Sequence, residues 1–259
     1  MSERVGLTAC IVAMNEEDRI ERCLDSVAFC DETIVVDSHS TDRTRELAAA
    51  RGVRVIERDW PGFLAQKKFA IAEASNEWVL VVDADEWVSP KLAREVQRLR
   101  DAGFPGKAGW RIPRLSSFLG MWMRRGGWYP DLQLRLFDRR RGHWQGEDPH
   151  PRIEVEGAVG RLAGDLCHHP YRSFDEHLKT IETYTSVLSR GMFERGRRAR
   201  PLDLVLRPAM YFFRFYVLKL GLLAGWRGLL QAYLAAHYAR MKYAKLLILQ
   251  TEGTDRDPD

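Results

Sequence analysis

Asp83-Ala84-Asp85 closes the apolar run Trp78–Val82, and Glu86 adds a third carboxylate. Like charges so close raise one another's pKa unless a cation lies among them. A hard divalent ion takes oxygen ligands and commonly brings phosphates with it. Asp83 and Asp85 therefore read as a candidate Mg2+ or Mn2+ site that would hold a nucleotide diphosphate. Alternation places both side chains on one side of a strand, provided the strand stays extended through Ala84. A single pair of this kind also occurs as a solvated turn, so its place in the fold matters. Two further polar clusters follow apolar runs: Asn15-Glu16-Glu17 after Leu7–Met14, and Asp37-Ser38-His39-Ser40 after Thr33–Val36.

The elements that must position these clusters alternate in type. Apolar runs at Leu7–Met14, Thr33–Val36, Val53–Ile56 and Trp78–Val82 predict four strands. Ile20, Cys23, Leu24 and Val27 fall at helical spacing, with Asn15 and Asp18 as expected caps. Thr41 is expected to cap a helix through Ala50 that stops at Gly52. Helices are also expected over Phe63–Ala74 and, from the cap Ser89-Pro90, to Arg100. Continuous apolar strands alternating with helices imply a mostly parallel sheet covered on both faces. Such sheets bind ligands outside the carboxyl ends of their strands, where all three clusters fall. After Gly103, short strand-like runs at Trp110–Ile112 and Leu132–Phe137 lie among Gly-, Trp- and Arg-rich loops. Ser173 opens a helix to about Leu188, and two mostly apolar segments, Leu202–Leu223 and Leu229–Leu249, come after it.

A 45% apolar and 29% charged composition is that of a globular chain and argues against disorder. Arginine crowds into Arg124-Arg125, Arg139–Arg141 and Arg195–Arg200, which suits anionic partners. No nucleic-acid recognition motif accompanies these patches, so nucleic acid is not an expected partner. The four cysteines follow no disulfide or zinc spacing, which favours a reducing compartment. No signal-peptide pattern or uninterrupted apolar span is present, and a cytoplasmic location is expected.

The segments IVAMNEEDRIERCLDSV, ETIVVDSHSTDRT and EWVLVVDADEWVS occur in order at strand ends. This resembles the nucleotide-binding half of family-two glycosyltransferases of the GT-A fold, over about residues 5–100. The resemblance implies that Ala13 and Asn15 lie beside the nucleotide and Asp37 faces the base. It also implies that Asp83 and Asp85 handle diphosphate and metal, Asp85 being the better candidate for direct metal contact. An Asp carboxylate can accept an imide N–H from uracil, consistent with a UDP-sugar donor. Glu16 suits either the ribose or a local arginine. The later motifs GGWYPD, LRLF, DPH after W-x-G, GDL-x-H and MKYAKL are similar to a narrower bacterial branch. That branch includes the β-1,4-glucosyltransferase of the lipopolysaccharide inner core. Much of it carries an acidic residue after the His of DPH, whereas here Pro151 follows His150.

Inverting transfer needs a carboxylate to take the acceptor hydroxyl's proton, a contribution of roughly 10²–10⁴-fold. Asp148 is the first candidate base and Asp131 the second; their structural alternatives are a cap or salt bridge and a turn. His168 is a candidate for the metal site, as a late histidine is in several GT-A enzymes. Arg135 is a candidate for the diphosphate, and Arg125, Trp128 and Tyr129 for the acceptor, the two rings equally suiting a core. Gln66 and Lys67, after WPGF, are candidates to approach the donor but read chiefly as solvated helix residues. Arg207, Arg214, Lys219 and Arg227 punctuate the apolar C-terminal segments as at a membrane headgroup boundary. A hairpin packed on the domain or on a second subunit is the alternative.

Expected, then, is an α/β GT-A fold, Rossmann-like, with a helical C-terminal appendage. Residues 1–200 form the transferase domain, with a nucleotide-sugar half (1–103) and an acceptor half (104–200). Residues 201–250 form amphipathic membrane-associating helices, and 251–259 a disordered tail. The expected activity is inverting transfer of a hexose, glucose from UDP-glucose, to a lipopolysaccharide-core or related glycolipid acceptor. It would take place on the inner face of the cytoplasmic membrane. Transfer onto a polyprenyl-linked or other envelope glycan is the alternative, and a catalytically silent sugar-nucleotide-binding or scaffold protein the rival of another class.

Overall fold

The computed structural model describes residues 4–145 and 152–252. The early apolar runs form strands β1 (Leu7–Ala13), β2 (Glu32–Asp37), β3 (Arg54–Glu57) and β4 (Trp78–Asp83). Helices α1 (Ile20–Val27), α2 (Thr44–Ala50) and α3 (Phe63–Ala72) alternate with them. β5 (Glu86–Val88), α4 (Pro90–Asp101) and β6 (Gly109–Phe118) come next, then β7 (Met121–Trp122), β8 (Asp131–Asp138) and β9 (Gly142–Gln145). β10 (Arg152–Val155), β11 (Val159–Arg161) and β12 (Leu166–His168) precede α5 (Phe174–Glu194), α6 (Asp203–Phe213) and α7 (Gly225–Glu252).

The chain divides into two compact units, Met1–Leu115 with Pro130–His169, and Ser116–Tyr129 with Pro170–Asp259. The second unit groups α5 with α6 and α7. The first unit is built on a sheet in the order β3-β2-β1-β4-β8-β6-β12-β5. The first four of these strands are parallel, and β8 returns antiparallel to β4. Strand alternation sorts the core into two layers. Leu7, Ala9 and Ile11 of β1 join Leu80 and Val82 of β4 against α1 and α4. Cys10, Val79 and Val81 face the other way, against Ala70 and Ile71 of α3 and Ile153 of β10. Helices thus cover both faces, as continuous apolar strands require.

Ser89 caps α4 as expected, its Oγ accepting from Leu92 N at 3.3 Å, with Pro90 in the first turn. The other two expected caps do not form. α1 and α2 begin at Arg19 and Arg43 without a side-chain cap. Asn15 instead takes a left-handed turn (φ 55°), and its Oδ1 accepts from Thr41 N at 2.8 Å. Glu16 N in turn donates to Thr44 Oγ1 at 2.8 Å. Capping residues on adjacent loops have satisfied one another across strand ends, a tertiary choice that local spacing does not contain.

In the second unit Phe118, Met123, Ile181 and Leu234 form one small core, and Met192, Ala199 and Leu246 another. A π-helical turn, Arg214–Leu218, and a 3-10 turn, Gly221–Ala224, join α6 to α7. Among the described residues no helix is long and apolar enough to cross a membrane.

Candidate functional site

The sheet register assembles the three polar clusters. Ala13 pairs with Asp37 across β1 and β2, and Val12 with Asp83 across β1 and β4. Residues distant in sequence therefore share one rim at the carboxyl ends of the parallel strands. Arg19 ties the first cluster to the late segment, lying 3.6 Å from Glu16 Oε2 and donating to His169 O at 2.9 Å. Glu16 thus takes the local-arginine partner. Asp37 is fully buried; its Oδ1 accepts from Ser40 N at 2.7 Å and its Oδ2 from the Ser40 hydroxyl.

The strand carrying Asp83 does not continue through Ala84. β4 ends at Asp83, and Ala84 and Asp85 form a tight turn. The condition for placing both aspartates on one side is not met, and the two carboxylates have different partners. The reason is Glu86, whose buried Oε2 accepts from Asp83 N at 3.1 Å and folds the chain back.

Asp83 is held by cations. The Lys67 ammonium straddles it, 2.5 Å from Oδ1 and 2.8 Å from Oδ2. Arg135 Nη2 donates to Asp83 Oδ2 and to Glu86 Oε1, each at 2.9 Å. Arg114 continues the series, 3.5 Å from Glu86 Oε1 and bonded to Asp131 Oδ2 by Nε (2.9 Å) and Nη2 (2.7 Å). The result is one alternating chain, Lys67–Asp83–Arg135–Glu86–Arg114–Asp131. Burial would raise the Asp83 carboxyl, but Arg135 and Lys67 outweigh it and hold Asp83 far below the usual carboxylate range. Burial likewise disfavours the Arg135 charge, which Asp83 and Glu86 more than restore.

Sequence reasoning missed Arg114 and assigned Gln66 and Lys67 to solvent. The structure buries both: Gln66 donates to Ser38 Oγ at 3.0 Å, and Lys67 reaches Asp83. The available signal was charge balance, since a buried carboxylate cluster calls for as many cations.

Asp85 stands outside this chain of charges. Among the described residues its carboxylate meets His168 Nε2 at 3.2 Å. β12 delivers His168 by pairing antiparallel with β5, opposite Glu86, and His169 N then donates to Asp85 O at 3.0 Å. His169 packs beside Trp87, with ring centres 4.8 Å apart; burial, with Arg22 and Arg19 nearby, lowers its pKa. Among the described residues no group of three acidic, histidine or cysteine side chains forms a metal cage. A carboxylate fits a divalent ion that takes its other ligands from phosphate and water, the usual arrangement for Mg2+ on a nucleotide, and the imidazole beside it offers one further donor. Asp83, already neutralised twice over, is the poorer ligand.

Asp131 accepts from Arg114 on Oδ2 and from Gln133 Nε2 on Oδ1 at 2.7 Å. Asp148 lies outside the described residues, as does His150. In the second unit Arg125 is exposed, Trp128 packs against Phe118 with ring centres 5.5 Å apart, and Tyr129 lies under Arg124 at 5.1 Å. Gly126 and Gly127 precede them in left-handed conformation (φ 72° and 82°), and a Cβ on Gly127 would come within 2.7 Å of the Phe215 ring. Only glycine fits that approach.

The sequence profile of glycosyl transferase family 2 matches residues 8–155, more than half of the chain. The chain belongs to glycosyl transferase family 2. The fold of this family-2 protein is GT-A, with a helical C-terminal region. It is 31% identical to the lipopolysaccharide core biosynthesis glycosyltransferase LpsC of Rhizobium meliloti, over 95% of this chain and 93% of that one. It is 26% identical to an uncharacterized glycosyltransferase of Rickettsia typhi, over 91% and 85% of the two chains. Among solved structures, glucosyl-3-phosphoglycerate synthase of Mycobacterium tuberculosis aligns over 44% of each chain at 26% identity with a TM-score of 0.36.

Proposed function

We propose that this family-2 transferase moves a hexosyl unit, glucose from UDP-glucose, with inversion onto a lipopolysaccharide-core or related glycolipid acceptor. The observation that carries the reading is the separation of the two aspartates at the strand rim. Asp83 is spent on Lys67 and Arg135, while Asp85 and His168 stand together beside it. Near-full-length similarity to a lipopolysaccharide core enzyme supports the acceptor class.

In this reading Ala13, Asn15 and Asp37 lie along the nucleoside, and Asp85 with His168 would hold Mg2+ or Mn2+. The ion would offset the negative charge of the departing diphosphate. The acceptor oxygen attacks the anomeric carbon as the bond to UDP breaks. Its proton passes to a carboxylate, Asp148 first or Asp131 second, and one inverted glycoside and UDP result. Lys67 and Arg135, charged and within reach of Asp83, keep the rim from repelling a diphosphate. Arg125, Trp128 and Tyr129 of the second unit are proposed for the acceptor.

The second unit supports work at a membrane surface, which the acceptor's lipid anchor calls for. Leu202, Val205, Leu206, Met210 and Phe213 recur at helical spacing along α6 and are all exposed. A soluble helix normally turns such a stripe inward. Arg207 lies among them and Arg214 and Lys219 follow them in the chain, as at an anionic cytoplasmic leaflet.

The test is a screen of UDP- and other nucleotide-sugars with membrane glycolipid extract, products followed by mass. A glycolipid heavier by one hexosyl unit, formed only with a divalent ion present, is expected. A product on a polyprenyl-linked sugar would reassign the acceptor. Absence of turnover with every donor, together with intact UDP binding, would leave a sugar-nucleotide-binding protein.

A further inference from the structure

The arginine-rich stretch Arg195–Arg200 has no place in the transfer reaction, yet its path is fixed. Gly196 turns left-handed (φ 73°) to end α5, and Gly196 N and Arg197 N donate to Phe193 O and Met192 O, each at 2.9 Å. Buried Ala199 exchanges two hydrogen bonds with Gln250 of α7, at 2.6 and 3.1 Å. Arg200 N donates to Asp203 Oδ2 at 2.9 Å. The backbone is pinned on both sides while the guanidinium groups are exposed.

Two of these arginines, Arg197 and Arg198, line a cavity of about 310 Å3 that Met192, Asp203, Arg207 and Tyr243 also bound. Arg207 Nε donates to Asp203 Oδ1 at 3.0 Å and its guanidinium lies over the Tyr243 ring at 5.4 Å. Arg198 lies over Phe193 at 5.0 Å and donates to Arg197 O at 3.2 Å. Among the described residues the Arg197 guanidinium has no hydrogen bond or ion pair. Three guanidinium groups against one carboxylate leave two positive charges around one concavity. A phosphate monoester carries about −1.5 to −2 at neutral pH and accepts paired N–H donors from arginine. The cavity lies within the roughly 300–1,000 Å3 that small-molecule sites occupy.

The surroundings say what the phosphate is attached to. Asp203 and Arg207, one helical turn apart on α6, run along a border of the exposed stripe Leu202, Val205, Leu206, Met210 and Phe213. A phosphate held in the cavity has acyl-compatible surface beside it. We infer that this cavity binds a phosphate monoester carried by the headgroup of an anionic lipid. The inference rests on the membrane-surface reading of the second unit.

The experiment uses the full chain and sedimentation with phosphatidylcholine vesicles containing either phosphatidic acid, a monoester, or phosphatidylglycerol, a diester, at equal surface charge. The unaltered protein is expected to prefer phosphatidic acid. The variant R197A/R198A should lose that preference, and its remaining binding to both vesicles should weaken by roughly fivefold per arginine, since a basic residue at an anionic surface contributes about that factor. R197Q, which removes a side chain with no partner to lose, should fall between. Equal affinity of the unaltered protein for the two vesicles, or an unchanged preference in R197A/R198A, overturns the site. If no vesicle binds, the membrane reading is what has failed, and calorimetry with inorganic phosphate and glycerol 3-phosphate decides the cavity. Uptake that R197A/R198A abolishes keeps a phosphate site supplied from solution; no uptake ends it.

Discussion

Two aspartates two positions apart have divergent chemistry here because of what each meets. Asp83 sits between Lys67 and Arg135, so removing it strands the buried Lys67 ammonium and leaves Arg135 to Glu86 alone. Breaking such a pair costs about 3–5 kcal/mol. Asp83→Ala should therefore lower the urea-unfolding free energy by about 3 kcal/mol. Asp85→Ala should stay within about 1 kcal/mol of the parent in stability, yet lose turnover by about a hundredfold or more. Equal stability of the two variants, or turnover in Asp85→Ala, would sink this division of roles. The base is tested separately. Asp148→Asn should depress kcat with donor Kd nearly unchanged, because the proton leaves only as the acceptor attacks. Near-normal kcat there passes the role to Asp131. Asp131→Asn would carry a second signature, a loss of stability from loosening Arg114 beside Glu86.

Helix α5 carries a pH dependence of its own. His177 is buried between Tyr171, stacked at 4.1 Å, and Phe118, edge-on at 5.6 Å, and its Nδ1 has no partner among the described residues. Burial lowers its pKa from the ordinary 6.5 to about 4. The unfolded chain therefore binds this proton more readily between those values. Stability should be unaffected by His177 above about pH 6.5, fall as pH drops toward 4, and level off below. Urea midpoints from pH 7.5 to about 4 check this, and His177→Phe, similar in bulk and without a titrating group, should flatten the slope in that window. The same slope in both proteins would assign the effect elsewhere.

Across the whole chain the two units treat apolar surface differently. Among the described residues of the first unit, the exposed large apolar side chains are Met14, Trp60 and Phe63. The second exposes a run from Leu202 to Trp226, with Leu229 and Tyr233 beyond. Contiguous exposure of that kind marks an interaction surface. Binding to anionic vesicles should have an electrostatic part that salt screens and an apolar part that salt leaves. The intact protein should sediment with such vesicles at low salt and be released only partly at high salt. Val205→Asp with Met210→Asp should make release complete. A protein that stays in solution with anionic vesicles at low salt would mean that α6 is covered by another protein surface.

Strand positions, the Ser89-Pro90 helix start and the rim location of the polar clusters were legible in the sequence, because each depends on neighbours in the chain. A run such as Trp78–Val82 must be buried on both faces wherever it lies, and Ser89 caps a backbone N–H only three residues away. The pairing of charges was not legible. Lys67 lies 16 residues before Asp83 and Arg135 lies 52 after it. They meet because α3 packs on the sheet and β8 is hydrogen-bonded beside β4. Ion pairs act over a few ångströms, and only strand order decides which distant residues come that close. The turn at Ala84 depends likewise on Glu86 finding Arg135 and Arg114. The apolar composition of Leu202–Leu223 was legible, but not which of its side chains face solvent, since the composition is the same for a buried helix and an exposed one. What lies against a stripe is a property of the packed molecule, and here it is left uncovered along α6.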